Sequence, residues 1–328
     1  MSTLYPLRFQ PLLKRYLWGG RRLETLGKTL GEGHDYAESW EIVDRSADQS
    51  RVVNGALAGT SLGRLLREHG RELLGRHAGL EQFPLLVKFL DAHQQLSIQV
   101  HPDDARAAML DPPDLGKTEA WVILATSPGS YLYAGLKRGF DRQALAREID
   151  RGTCELCVER IEPSVGDCYF LPAGVVHALG PGLLVAEIQQ ASDTTYRLYD
   201  WNRTGPDGRP RQLHIDEALA AIDYHYGPVV AQRPQPTAEP PVERFVACDQ
   251  FVLDRWRLPP ASAPIRSADI GGDERCHLVI VLNGSLEIAS DPASLPLQRG
   301  AVVLLPAEIG SVKVRALGSC EFLDAYLP

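Results

Sequence analysis

The sequence predicts a mainly β chain built as two small β-barrels with a few helices. Three observations predict it. Short apolar runs of strand length alternate with turn chemistry, and 29 Gly with 24 Pro supply the many turns that such a fold requires. The separation of Gly166 and Pro172, around the apolar run Cys168 to Leu171, recurs at Gly300 and Pro306 around Ala301 to Leu305. Between the two copies, residues 228–243 are rich in Pro, Gln and Ala without an apolar period, as a linker or an extended strap would be. At 328 residues the chain exceeds the usual single-domain size. The expected organisation is a first domain over 1–227 with helical segments, the linker or strap over 228–243, and a second domain over 244–328.

Composition narrows the partners. With 44% hydrophobic and 23% charged residues the chain is an ordinary globular protein, and a net charge of −8 argues against a nucleic-acid surface. A small anionic ligand stays compatible, because a site needs only local positive charge. No run of 18 or more apolar residues and no charged-then-apolar leader follows Met1. Neither membrane span nor signal peptide is expected, and the expected location is the cytoplasm. Of the six cysteines, Cys154 and Cys157 form a CxxC with no second pair at zinc-ribbon spacing, so free thiols are expected.

Along the chain, Tyr5 to Arg21 reads as a short strand followed by a glycine turn, Gly19-Gly20, that leaves Trp18 near the surface or a cleft. Ala37-Glu38-Ser39-Trp40-Glu41-Ile42 is a second strand with acidic residues on one face. Ser61 to Leu80 carries leucines at helical spacing between Arg and Glu, an amphipathic helix packed on the barrel. Phe83 to Ala92 is an apolar run broken by one lysine, Lys88, either at a strand end or facing a site interior.

The chemistry-bearing pairs follow. In Leu96-Ser-Ile-Gln99-Val-His101-Pro-Asp103 the i, i+2 spacing puts Gln99 and His101 on one face of a strand. Lys117 and Glu119 repeat the arrangement ahead of the apolar run Ala120 to Leu124. Gly166-Asp167 opens a strand through Leu171, Pro172 and Gly174 turn the chain, and His177 begins the next strand, where it can point into a barrel mouth. Two histidines and a carboxylate, His101, His177 and Glu119, with Gln99 as a fourth oxygen donor, form a set that suits zinc and also iron, cobalt or manganese. Downstream, Val185, Glu187 and Gln189 share a strand face, and a loop leads to Arg197. A short helix is expected from Asp216 to Ile222.

The spacing Gly166, Pro172, Gly174, His177 resembles the second motif of the cupin barrels. The longer pattern, Gln99-x-His101-Pro-Asp103, Lys117-x-Glu119, His177 and Glu187 to Arg197, completed by Tyr199-Asp-Trp-Asn-Arg203, resembles the type I mannose-6-phosphate isomerases in their short bacterial form, over most of residues 5–225. The resemblance implies two cupin-type jelly-roll barrels and reversible interconversion of mannose 6-phosphate and fructose 6-phosphate through an enediol. One divalent metal is implied, with zinc as the first choice, on Gln99, His101, Glu119 and His177. It implies Arg197 as catalytic and places the segments of Trp18 and Glu41 at the active-site border; Glu187 and Lys117 are the candidates for base and proton relay. Lys88 is assigned toward the substrate. Thr118 stands where longer relatives tend to carry Pro, and the chain has little room for their helical insert.

The second barrel has Glu308 and Ser311 at the positions corresponding to Gly174 and His177, so it looks like a cupin without metal ligands, His277 being its only histidine. The sequence assigns no oligomeric state. Two other classes share the ligand set: a cupin oxygenase with iron at the same residues, and a non-catalytic bicupin that binds sugar phosphates.

Overall fold

The computed structural model describes residues 4–205, 208–259 and 267–328. Its first barrel comprises β1 (Leu12–Gly20), β2 (Tyr36–Ile42), β3 (Leu85–Ala92), β4 (Ile98–Val100), β5 (Glu119–Thr126), β6 (Leu132–Leu136), β7 (Val158–Ile161), β8 (Cys168–Leu171), β9 (His177–Leu179), β10 (Leu183–Gln190) and β11 (Tyr196–Tyr199). These form a six-stranded sheet in the order β8-β5-β10-β3-β2-β1 and a five-stranded sheet in the order β7-β6-β9-β4-β11. The second barrel comprises β12 (Val242–Ala247), β13 (Val252–Leu258), β14 (Ser267–Ile270), β15 (His277–Asn283), β16 (Ser285–Ile288), β17 (Leu297–Gln298), β18 (Val302–Leu305), β19 (Val312–Ala316) and β20 (Cys320–Tyr326). Its larger sheet runs β18-β15-β20-β13-β12, extended at one edge by Leu7–Arg8 and at the other by Gln235–Pro236; the smaller runs β14-β19-β16-β17.

The large sheets of the two barrels pack back to back. Val87 and Phe89 of β3, Val122 of β5 and Ala186 and Ile188 of β10 share one apolar cluster with Leu253, Leu278, Ile280, Leu304 and Leu323 of the second barrel. The alternate residues Leu90, Trp121, Ile123 and Val185 point the other way, into the first barrel. A sheet buried on both faces needs apolar residues at every position, which is why Phe83 to Ala92 reads as a continuous run. It also makes Lys88, which is 3% exposed, a polar group that needs partners inside the barrel. Truncating a seam residue such as Phe89 to Ala would cost about 3–5 kcal/mol.

The helix α1 (Leu62–Leu74) begins where expected, with Ser61 capping the amide of Arg64, and turns Leu62, Leu65, Leu66, Leu73 and Leu74 into the seam between the barrels. The expected helix near residue 216 spans Ile215–Ala221. Gly19 and Gly20 lie inside β1 and not in a turn. A side chain at Gly19 would come within 2.6 Å of the backbone of Asp35 and Ala37, so close strand approach is what excludes a Cβ there. After Val229 N donates to Ala134 O at 3.2 Å and Gln232 N to Cys168 O at 2.7 Å, the chain reverses, so that Gln235–Pro236 pairs antiparallel with Glu243 and Arg244 of β12.

Candidate metal centre and active site

Strand register assembles the site. Across the five-stranded sheet, Arg197 of β11 pairs with Gln99 of β4, and Gln99 with His177 of β9. Across the six-stranded sheet, Gln189 of β10 pairs with Glu119 of β5, Glu187 with Lys88 of β3, and Lys88 with Trp40 of β2. Paired residues share a face, so two rows of functional side chains meet inside one barrel.

His101, Glu119 and His177 are the one group of potential metal-holding side chains found among the described residues, with ligand atoms all within 4.8 Å of one another. His177 Nε2 lies 3.2 Å from Glu119 Oε1 and His101 Nε2 lies 3.5 Å from Glu119 Oε2. Each ring turns its other nitrogen to a backbone carbonyl: His101 Nδ1 to Thr194 O and His177 Nδ1 to Val175 O, both at 2.9 Å. A carbonyl can only accept, so the ring proton sits on Nδ1 in both and the bare Nε2 lone pairs face Glu119. Burial drives both imidazoles toward the neutral form, His177 down to about 4 and His101 well below the usual histidine range, with Lys117 adding to the effect on His101. Burial likewise pushes Glu119 up to about 7, against the pull of Lys117. Both Glu119 oxygens are buried without a hydrogen-bond partner; Lys117 Nζ stands 3.1 Å from Oε2, inside ion-pair range but outside hydrogen-bond geometry. Lone pairs from two neutral imidazoles and a carboxylate converging on one point, with the carboxylate unsatisfied, fit a divalent cation.

Gln99 Nε2 lies 3.4 Å from His177 Nε2, and its Oε1 faces Ser97 Oγ at 3.4 Å. Exchanging the two amide heads, which have the same shape, turns the oxygen to the centre. Gln99 and Lys117, which touch the two histidines, also line a cavity of about 230 Å³ whose wall includes Trp18, Lys88, Glu187 and Arg197. Lys117 Nζ also contacts His101 Nε2 at 3.1 Å. Glu187 accepts from Trp121 Nε1 at 2.7 Å, and Lys88 Nζ stands 3.5 Å from Glu187 and 3.6 Å from Glu38. Burial works against the charge on Glu187, yet Lys88 and Lys117 outweigh it and hold its carboxyl below the usual range.

Glu41 is not at the cavity. It lies on the opposite face of β2, 4% exposed, paired with Lys28 Nζ at 2.8 Å and accepting from Ser39 Oγ at 2.6 Å. The acidic residue of that strand on the cavity wall is Glu38, which shares the parity of Trp40 and accepts from its Nε1 at 2.5 Å. Tyr16, Ser97, Asp193, Thr195 and Arg211 also line the cavity, none of them among the site residues expected from sequence. Glu38 was within its reach by alternation from Lys88-facing Trp40. Arg211, fixed by Asp200 at 2.6 and 2.8 Å, arrives from a long connection with no period to read. In the second barrel, His277 sits between Asp324, at 2.9 Å from Nδ1, and Asp273, at 3.1 Å from Nε2, so its nitrogens are engaged in ion pairs.

The fold and the site define a two-barrel cupin enzyme with a His–Glu–His centre in its first barrel. A family model described as phosphomannose isomerase type I, catalytic domain, matches residues 7–121. The chain is 33% identical to the mannose-6-phosphate isomerase ManA of Bacillus subtilis over 97% of its own length and 98% of that protein, and 37% identical to a mannose-6-phosphate isomerase of Streptococcus mutans over 66% of its length and 67% of that protein. The crystal structure of the mannose 6-phosphate isomerase from Bacillus subtilis superposes with a TM-score of 0.86 at 31% identity, covering 98% of this chain and 99% of that one. The chain belongs to the type I phosphomannose isomerase family. Among the described residues no helix is long and apolar enough to cross a membrane.

Proposed function

We propose that the chain interconverts mannose 6-phosphate and fructose 6-phosphate, using one divalent ion, zinc, held by His101, Glu119 and His177 with Gln99 as the fourth donor. The observation that carries this reading is that the His–Glu–His cluster, with its unsatisfied Glu119, touches through Gln99 and Lys117 a cavity whose wall also carries Glu187, Lys88 and Arg197. Similarity to proteins named as mannose-6-phosphate isomerases supports the substrate.

The reaction removes a proton from the carbon beside a carbonyl and returns it to the neighbouring carbon, through an enediol whose oxygens develop negative charge. A bound divalent ion supplies orientation of the sugar oxygens and stabilisation of that charge, worth several kcal/mol. Glu187, ionised between Trp121 and Lys88, is the proton acceptor, and Lys117, in contact with Glu119 and His101, relays protons between oxygens. Arg197 is the cation beside the enediolate. Lys88 holds Glu187 and Glu38 in place and, with Arg211, makes the cavity receptive to an anionic sugar. Trp18, 5% exposed, forms an apolar wall against the sugar and helps to exclude water. The free cysteines among the described residues agree with a cytoplasmic location.

The test is a coupled assay for fructose 6-phosphate formation from mannose 6-phosphate, run before and after chelation and again after zinc is restored. Turnover that is lost with the chelator and returns with zinc supports the reading. Binding of hexose phosphates without interconversion would point instead to a sugar-binding bicupin, and oxygen uptake with ferrous iron to an oxygenase.

A further inference from the structure

One buried-edge carboxylate outside the cavity is tied to the metal centre through a single loop. Asp114 Oδ2 accepts from Thr194 Oγ1 at 2.8 Å and from Ser192 Oγ at 3.0 Å, while its Oδ1 accepts from the amide of Leu115 at 2.9 Å and from Arg45 Nη1 at 2.8 Å. Arg45 Nη1 also donates to Ala191 O at 2.5 Å, and Gln189 Nε2 donates to Ser192 O at 2.7 Å. Residues 191–194 are thus clamped from outside the barrel by the Arg45–Asp114 pair and from inside by Gln189. The loop delivers the carbonyl of Thr194, which receives the Nδ1 proton of His101. Residues Asp193 and Thr195 of the same loop stand on the cavity wall.

We propose that Asp114 is a positioning residue for the metal centre: by fixing the hydroxyls of Thr194 and Ser192 it holds the Thr194 carbonyl that sets the tautomer and ring orientation of His101. The proposal rests on the metal-centre reading above and adds the outer layer that aims one ligand. His101 follows the three-residue strand β4, too short to fix the ring by itself, and its Nε2 must compete with Lys117, which lies 3.1 Å away. Without a fixed carbonyl, the Nδ1 proton loses its partner and the lone pair at Nε2 is no longer directed at the centre. Loss of such an outer partner commonly weakens metal binding by about 10- to 100-fold.

Two nearly isosteric substitutions test this. Asp114→Asn replaces one accepting oxygen by an amide that cannot accept, and Thr194→Val removes one hydroxyl while leaving the backbone carbonyl and the Arg45–Asp114 pair in place. Zinc affinity is measured by competition with a chelator of known affinity, beside the melting temperature of the metal-free proteins. Each variant should bind zinc about 10- to 100-fold more weakly at nearly unchanged metal-free stability, and the double variant should be no worse than Asp114→Asn, because both changes break one link. If Asp114→Asn fails to fold, Thr194→Val decides alone. Folded variants with native zinc affinity overturn the clamp while leaving the centre standing. A native chain that holds no divalent ion overturns the centre and the clamp together.

Discussion

Replacing Arg197 by Lys keeps the positive charge in the cavity and removes the planar fork. The structure fixes what that fork does: Nη1 donates to Gln212 O at 3.0 Å, and Nε is buried with no hydrogen-bond partner among the described residues. Burial, with Arg211 nearby, lowers the guanidinium from its usual value, but a guanidinium stays charged at any working pH. Under the proposed role, this guanidinium on the cavity wall stabilises charge that appears only in the transition state. Removing one such preorganised donor costs on the order of 10² to 10³ in rate, about 2.7–4 kcal/mol. In the coupled assay, Arg197→Lys should therefore lower kcat and kcat/KM together by that factor, with KM little changed. A near-normal kcat with KM raised many-fold would refute the assignment; Arg197 would then serve the phosphate, and the chemistry would rest on Glu187 and Lys117.

Lys28→Met leaves Glu41 buried without its cation between β2 and the Gly300 turn, whose carbonyl Lys28 also reaches at 2.8 Å. Breaking a buried pair in this way should cost about 3–5 kcal/mol in chemical unfolding, with turnover little changed because neither group reaches the cavity. His277→Ala and Ser311→Ala should leave kcat near native, since the proposed chemistry draws on residues of the first barrel alone. His277→Ala should nevertheless destabilise in a pH-dependent way. Burial opposes the charge on His277, but Asp324 and Asp273 outweigh it and raise the imidazolium from 6.5 to about 10. That stabilisation is complete below about 6.5 and fades as pH rises through 10, so the melting-temperature gap between native and variant should shrink from pH 6 to pH 10. A gap that widens with pH would contradict it.

The parts of the site that could be read in the sequence are those set by local geometry. Strand alternation puts Gln99 with His101 and Lys117 with Glu119, and the turn at Pro172 and Gly174 delivers His177 to the start of β9. Alternation also held the answer at residues 38–42, where Glu38 shares a face with Trp40 and Glu41 does not. Residues 38–42 therefore put Glu38, and not Glu41, on the cavity wall. The residues beyond reading are set by long-range register: Arg211 and Asp193 enter from irregular connections, and the Asp114 clamp joins positions about eighty residues apart. At fold level, turns and apolar runs announced two barrels. The back-to-back packing of their large sheets, and the pairing of Leu7–Arg8 with the second barrel, depend on which faces meet, which no local period encodes.

The central claim is that His101, Glu119 and His177 hold one divalent ion that the isomerisation requires. Metal analysis of the purified native chain and of His101→Ala, Glu119→Ala and His177→Ala, each confirmed folded by its melting curve, tests it most directly. The account predicts close to one equivalent of metal in the native chain, little in each variant, and activity lost in step, because neighbouring apolar positions such as Trp121, Val176 and Ala178 build the core. Full metal occupancy in His177→Ala would contradict it.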